Sequence, residues 1–211
     1  MSYVNYNSIR RKISKSTKLV DQTEKFVENK FEKEKDKFLS SFEDHPVTKE
    51  ISAGPKAANL SNTLGGRGNL FSFIGFDKSD DPIESVKNFI ESRFRINKPK
   101  VISRAGKIKL DFKIEYPSIE DLKKVTPMPW EGGKSWMSSI EKGISGFSNY
   151  VFKRFVEGRS GEALQAEAKV RGTSYKPVKY MSGIISDFIK GMKIRWSQIL
   201  ITRQCLAWYY S

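Results

Sequence analysis

Cysteine is nearly absent. Cys205 stands alone in 211 residues, so no intrachain disulfide can form, which fits synthesis in a reducing compartment. Cys205 itself reads as a small apolar residue on a helix. Histidine is equally scarce. His45 is the sole one and sits beside Pro46. With no second histidine and no cysteine cluster, metal ligation and Ser-His-Asp or Cys-His chemistry lack their parts. A turn or capping role is expected for His45 instead. No apolar run reaches the ~20 residues of a spanning helix, so no membrane contact is expected. Residues 1–18 are polar and basic without an apolar signal core, so no secretory signal is expected.

Acid is scarce at both ends. Residues 1–18 carry five Lys or Arg and no acid, and residues 169–211 carry eight with Asp187 as the single acid. These ends hold most of the net charge of +14, leaving the middle close to neutral. Charge placed this way suits an acidic partner surface or DNA phosphates.

Aromatics are plentiful: 14 Phe, 8 Tyr and 4 Trp, within a hydrophobic fraction of 38%. That suffices for a core and argues against global disorder. Ile9, Ile13, Val20, Val27, Phe31, Phe38 and Phe42 recur at four- and seven-residue spacing, which predicts one long amphipathic helix over residues 9–43. It would span about 50 Å, longer than a small domain needs, so part of its apolar stripe is expected to meet another subunit. The helix should stop near Asp44, because a residue before proline disfavours the helical region.

Residues 52–69 read as a loop rich in Gly, Ser, Asn and Ala. Leu70 to Phe76 reads as a strand. Asp81-Pro82 is a helix start, followed by Ile83, Val86, Phe89, Ile90 and Phe94 at helical spacing. Residues 99–116 predict a β-hairpin. Its second run places Ile108, Leu110, Phe112, Ile114 and Tyr116 on one face and Lys109, Asp111, Lys113 and Glu115 on the other. Residues 126–133 form a turn-rich connection. A helix is expected from Ser135 to about Phe155, a strand over 162–171 and a long basic helix over 178–208. The chain closes on Trp208, Tyr209 and Tyr210, aromatics that suit a peg inserted into a neighbour.

The expected fold class is therefore α+β, a small and mostly antiparallel sheet flanked by helices, with long N-terminal and C-terminal helices. Residues 1–43 would form the basic segment and long helix, 44–177 the core domain, and 178–211 the basic helix with its aromatic tail.

Motifs for chemistry are weak. Gly65, Gly66, Arg67 and Gly68 resemble a phosphate cradle, yet Asn-Leu-Phe follows where a P-loop needs Lys-Ser or Lys-Thr. The loop suits assembly better. Asp111 and Lys113, with Asp80 and Asp81 upstream, match a fragment of a metal-dependent nuclease site, but a solvated strand face gives the same alternation. Arg10, Arg11 and Lys12 at one end, with Lys190, Lys193 and Arg195 at the other, could track phosphates without reading sequence. The alternative function is accordingly a sequence-independent DNA-binding or packaging protein.

Three stretches carry a resemblance. They are Phe42-Glu43-Asp44-His45-Pro46-Val47-Thr48-Lys49-Glu50-Ile51, the run from Asn59 through Gly65-Gly66-Arg67-Gly68 to Phe76, and Thr126-Pro127-Met128-Pro129-Trp130-Glu131 leading to Ser135-Trp136 and Ile140-Glu141-Lys142-Gly143-Ile144. Together they resemble small virion proteins of tailed, myovirus-like phages, particularly the neck and tail-completion class. The resemblance implies a non-enzymatic structural role without cofactor, in a virion assembled in the host cytoplasm. Copies would form a homo-oligomeric ring, since head-to-tail contacts that close make rings. Its neighbours would be portal, adaptor, tail tube or sheath proteins, with non-specific DNA contact as an accessory. Phe31, Phe38, Phe42, Trp196, Trp208, Tyr209 and Tyr210 are the expected partner-docking residues.

Overall fold

A computed structural model describes residues 17–64, 68–104, 107–129, 131–143 and 177–193. Among these, seven helices and six short strands make an α+β fold with a long N-terminal helix. The strands form three separate two-stranded antiparallel sheets rather than one.

The first helix, α1, runs Thr17–Asp44, and its 28 residues span about 42 Å. The expected helix began at residue 9, and residues 9–16 lie outside the described part. Its stripe of Val27, Phe31, Phe38 and Phe42 is buried, at most 3% exposed. The chain turns at His45 and resumes as α2, Pro46–Ser52, which was not anticipated. The His45 Nδ1 accepts the Val47 N–H at 3.2 Å and so caps α2. This is the capping role expected of it.

Leu70–Ile74 is a helix, α3, and not the expected strand. Two local signals decide this. Asn69 Oδ1 accepts the Ser72 N–H at 2.9 Å, and Gly75 ends the turn at φ 83, a left-handed cap that glycine reaches without a Cβ penalty. The helix α4, Pro82–Arg93, starts where predicted, with Asp81 Oδ1 accepting the Glu84 N–H at 3.0 Å. Phe94 lies just past its end.

Next come β1 (Arg95–Ile96), β2 (Lys100–Arg104), β3 (Lys107–Asp111) and β4 (Ile114–Glu115). β2 and β3 form the expected hairpin, while β1 pairs with β4. The alternation predicted up to Tyr116 breaks at Phe112 and Lys113, which belong to no strand. No described member of that apolar face is fully buried, and Tyr116 is exposed.

A short helix, α5 (Ile119–Lys124), follows, capped by Ser118 Oγ on the Asp121 N–H at 3.1 Å. The turn-rich connection is in fact a small hairpin, β5 (Pro127–Met128) with β6 (Glu131–Ser135). Ser135 then caps α6, Trp136–Glu141. The helix predicted from Ser135 to about Phe155 instead ends at Glu141, with Lys142 as its C-cap and Gly143 at φ 82; residues 144–155 and the strand expected over 162–171 lie outside the described residues. The C-terminal helix predicted over 178–208 is shorter where it is described: α7 runs Met181–Met192, residues 178–180 precede it, and it stops at Lys193, whose backbone is extended.

The core is built where α1 meets α7. Phe188 of α7 meets Phe31 and Phe38 of α1 edge-on at 6.4 and 6.0 Å, and Phe94 at 5.2 Å. Edge-to-face rings at these distances add about 0.5–1.5 kcal/mol per pair beyond area burial. The other end of the core is polar where it must be. Thr126 Oγ1 donates to the Leu122 carbonyl at 2.8 Å and lies 2.7 Å from Ser135 Oγ, joining α5 to α6. Glu141 at the end of α6 accepts the Ser182 N–H at 2.7 Å. It caps the first turn of α7, whose own preceding residue, Tyr180, gives no side-chain cap.

Candidate interaction surfaces

The loop between α2 and α3 is held from beneath by one carboxylate. Glu50 is fully buried. Its Oε2 accepts the Ser61 N–H and its Oε1 the Leu70 N–H, both at 2.7 Å. Asn69 Nδ2 donates to the Pro55 carbonyl at 2.6 Å, drawing the two loop ends together. Ser61 and Thr63 hydroxyls bond at 2.7 Å, and Asn62 takes φ 52, a left-handed conformation that asparagine tolerates. The fastened loop presents Leu60 outward, 53% exposed. Beside it, the Asn59 amide is buried at both Oδ1 and Nδ2 with no hydrogen-bond partner among the described residues. Such a group costs stability unless something outside completes it.

Of the expected assembly loop, Gly68 is described, at φ 76, while Gly65, Gly66 and Arg67 lie outside the described residues. The expected docking role of Phe31, Phe38 and Phe42 is corrected. All three are covered within the chain, Phe31 and Phe38 by Phe94 and Phe188, and Phe42 by Tyr180, on which it stacks at 6.2 Å. The face of α1 that does reach solvent carries Phe26. Trp196, Trp208, Tyr209, Tyr210, Arg10, Arg11, Lys12 and Arg195 lie outside the described residues. Lys190 is described and pairs with Asp187 at 3.0 Å. The carbonyl of Lys193 accepts from Lys30 Nζ at 3.3 Å.

The acidic fragment considered for a nuclease is dispersed into structural pairings. Asp111 lies 3.9 Å from Lys109, and Lys113 pairs with Glu115 at 2.7 Å. Asp80 accepts the Asp77 N–H, and Asp81 caps α4. Among the described residues no group of three or more His, Cys, Asp or Glu could hold a metal ion. No described helix is long and apolar enough to cross a membrane.

The exposed large hydrophobics sit mainly on outlying elements. They are Phe26 on α1, Leu60 on the loop, Val101 and Ile102 on β2, Tyr116 after β4, and Ile189 on α7. Val101 is 50% exposed on a two-stranded ribbon that, among the described residues, pairs with no further strand. A lone ribbon of this kind is marginal in water.

The chain matches no protein-family model, no curated protein and no solved structure.

Proposed function

We propose that this chain is a non-enzymatic structural protein of a tailed-phage virion, a ring subunit that joins or completes the neck or tail. The observation that carries this reading is the pairing of Leu60 with Asn59. A half-exposed leucine stands beside a buried amide that has no partner among the described residues, on a loop that Glu50 and Asn69 hold in place. A preformed loop with one apolar anchor and one unmet polar group is the kind of surface a neighbouring subunit completes. The motifs around residues 42–51, 59–76 and 126–144 supply the particle class by resemblance.

The test is assembly of particles without the protein, viewed by electron microscopy. The expected result is heads and tails that fail to join or tails left unfinished. A Leu60→Asp variant should melt like the parent chain and yet be missing from purified particles. Complete, infectious particles made in its absence would refute the reading.

A further inference from the structure

The near-neutral middle of the chain hides a sharp internal division. Residues 95–113 carry seven Lys or Arg against one acid, Asp111. On either side the sign reverses: residues 17–94 have twelve Lys or Arg against fourteen acids, and residues 114–143 have four against five. The positive stretch coincides with the β2–β3 ribbon and its base.

The register sorts that charge onto one face. Lys100 pairs with Asp111, Val101 with Leu110, Ile102 with Lys109, Ser103 with Ile108, and Arg104 with Lys107. Cross-strand partners share a face and neighbours along a strand alternate. One face therefore holds the positions Lys100, Ile102, Arg104, Lys107, Lys109 and Asp111. The other holds Val101, Ser103, Ile108 and Leu110. Four of six positions on the first face are cationic, and at its outer end two cations, Arg104 and Lys107, are direct partners. Protecting an exposed edge needs a lysine or two. It does not need a cationic face.

We propose that the β2–β3 ribbon is a nucleic-acid-binding arm that lays its Lys100, Arg104, Lys107 and Lys109 face against duplex DNA. Its width fits, because the ~12 Å major groove of B-DNA admits a two-stranded ribbon. The Lys107 and Lys109 positions on β3 lie ~6.6–6.8 Å apart and the Lys100 and Arg104 positions on β2 ~13 Å apart, a row of positive charge facing a polyanion. The face offers no set of amide side chains for reading bases, so the contact is to phosphates and is independent of sequence. The inference does not depend on the virion reading, because it needs the ribbon alone.

The test measures binding of the full chain to a mixed-sequence 30-bp duplex across a salt series. Each phosphate contact contributes about −0.9 to the slope of log affinity against log salt. Replacing Lys100, Arg104, Lys107 and Lys109 with Gln should flatten that slope by about 3 to 4 and weaken binding more than ~10-fold near 0.1 M salt. Replacing the three lysines with Arg should leave both unchanged, and Lys109→Glu alone should weaken binding. Matching melting temperatures establish that the variants fold. An unchanged slope in the Gln variant overturns the proposal. So does poly-glutamate competing as well as duplex DNA at equal charge, which would assign the face to an acidic protein.

Discussion

The hydroxyls of Thr48 and Tyr180 lie 2.6 Å apart in the core, bonded across 132 residues of sequence. Thr48 sits on α2 and Tyr180 immediately before α7. Tyr180 is completely buried, which pushes its phenol well above the ordinary tyrosine range, so it stays a neutral hydroxyl. Phe42 and His45 complete its surroundings, with ring centres at 6.2 and 4.7 Å.

This bond predicts an asymmetry. Thr48→Val strands the Tyr180 hydroxyl in the core and should cost about 1–3 kcal/mol. Tyr180→Phe should cost less, because a threonine hydroxyl can rotate toward nearby backbone. The double variant should lose less than the sum of the two. Urea unfolding of all four proteins measures this. Additivity within ~0.5 kcal/mol would show that the two hydroxyls are uncoupled.

Glu50 gives a second prediction. Both its oxygens are used as acceptors, and Glu50→Gln replaces one with an amino group facing an N–H. The loss should be about 1–3 kcal/mol, with faster proteolysis within residues 53–64. A Gln variant as resistant as the parent would mean that the carboxylate does not fasten the loop.

A third prediction concerns acid. Partial burial lowers the His45 imidazole from its ordinary 6.5, and neutral Nδ1 is the acceptor that caps α2. The unfolded chain therefore binds more protons as pH falls below about 6.5, and stability drops there while remaining full above it. His45→Asn keeps a capping oxygen without titrating. The stability difference between parent and variant should shift toward the variant between about pH 7.5 and pH 5. A difference that holds constant over that interval would remove His45 from the acid response.

The sequence was most legible where a helix announces itself twice, by periodicity and by a cap. The stripe from Val27 to Phe42 and the Asp81-Pro82 start are both found as expected. Leu70 to Ile74 was misread because a short, wholly apolar run carries no period to separate strand from helix. The deciding groups, Asn69 and Gly75, flank it. Phe31, Phe38 and Phe42 were correctly placed on one face but assigned the wrong cover, since periodicity marks a buried side and does not say whose surface buries it. The ribbon's charge escaped notice for a related reason. Summing from residue 19 to 168 sets the ribbon's cations against the surplus acids of α1 and the other flanking stretches, and the two-residue alternation that gathers them emerges once β2 and β3 are set in register.

The meeting of α1 with α7 sets an order on biosynthesis. Phe31 and Phe38 leave the ribosome early and Phe94 follows them, yet Phe188, the ring that completes their cover, emerges about 150 residues later. At ~5–20 residues per second the greasy side of the nascent rod waits roughly 8 to 30 s for its lid. A truncated product ending before residue 181 has Phe94 but lacks α7, which leaves that side only partly covered, so it is the species for chaperones and proteases to catch.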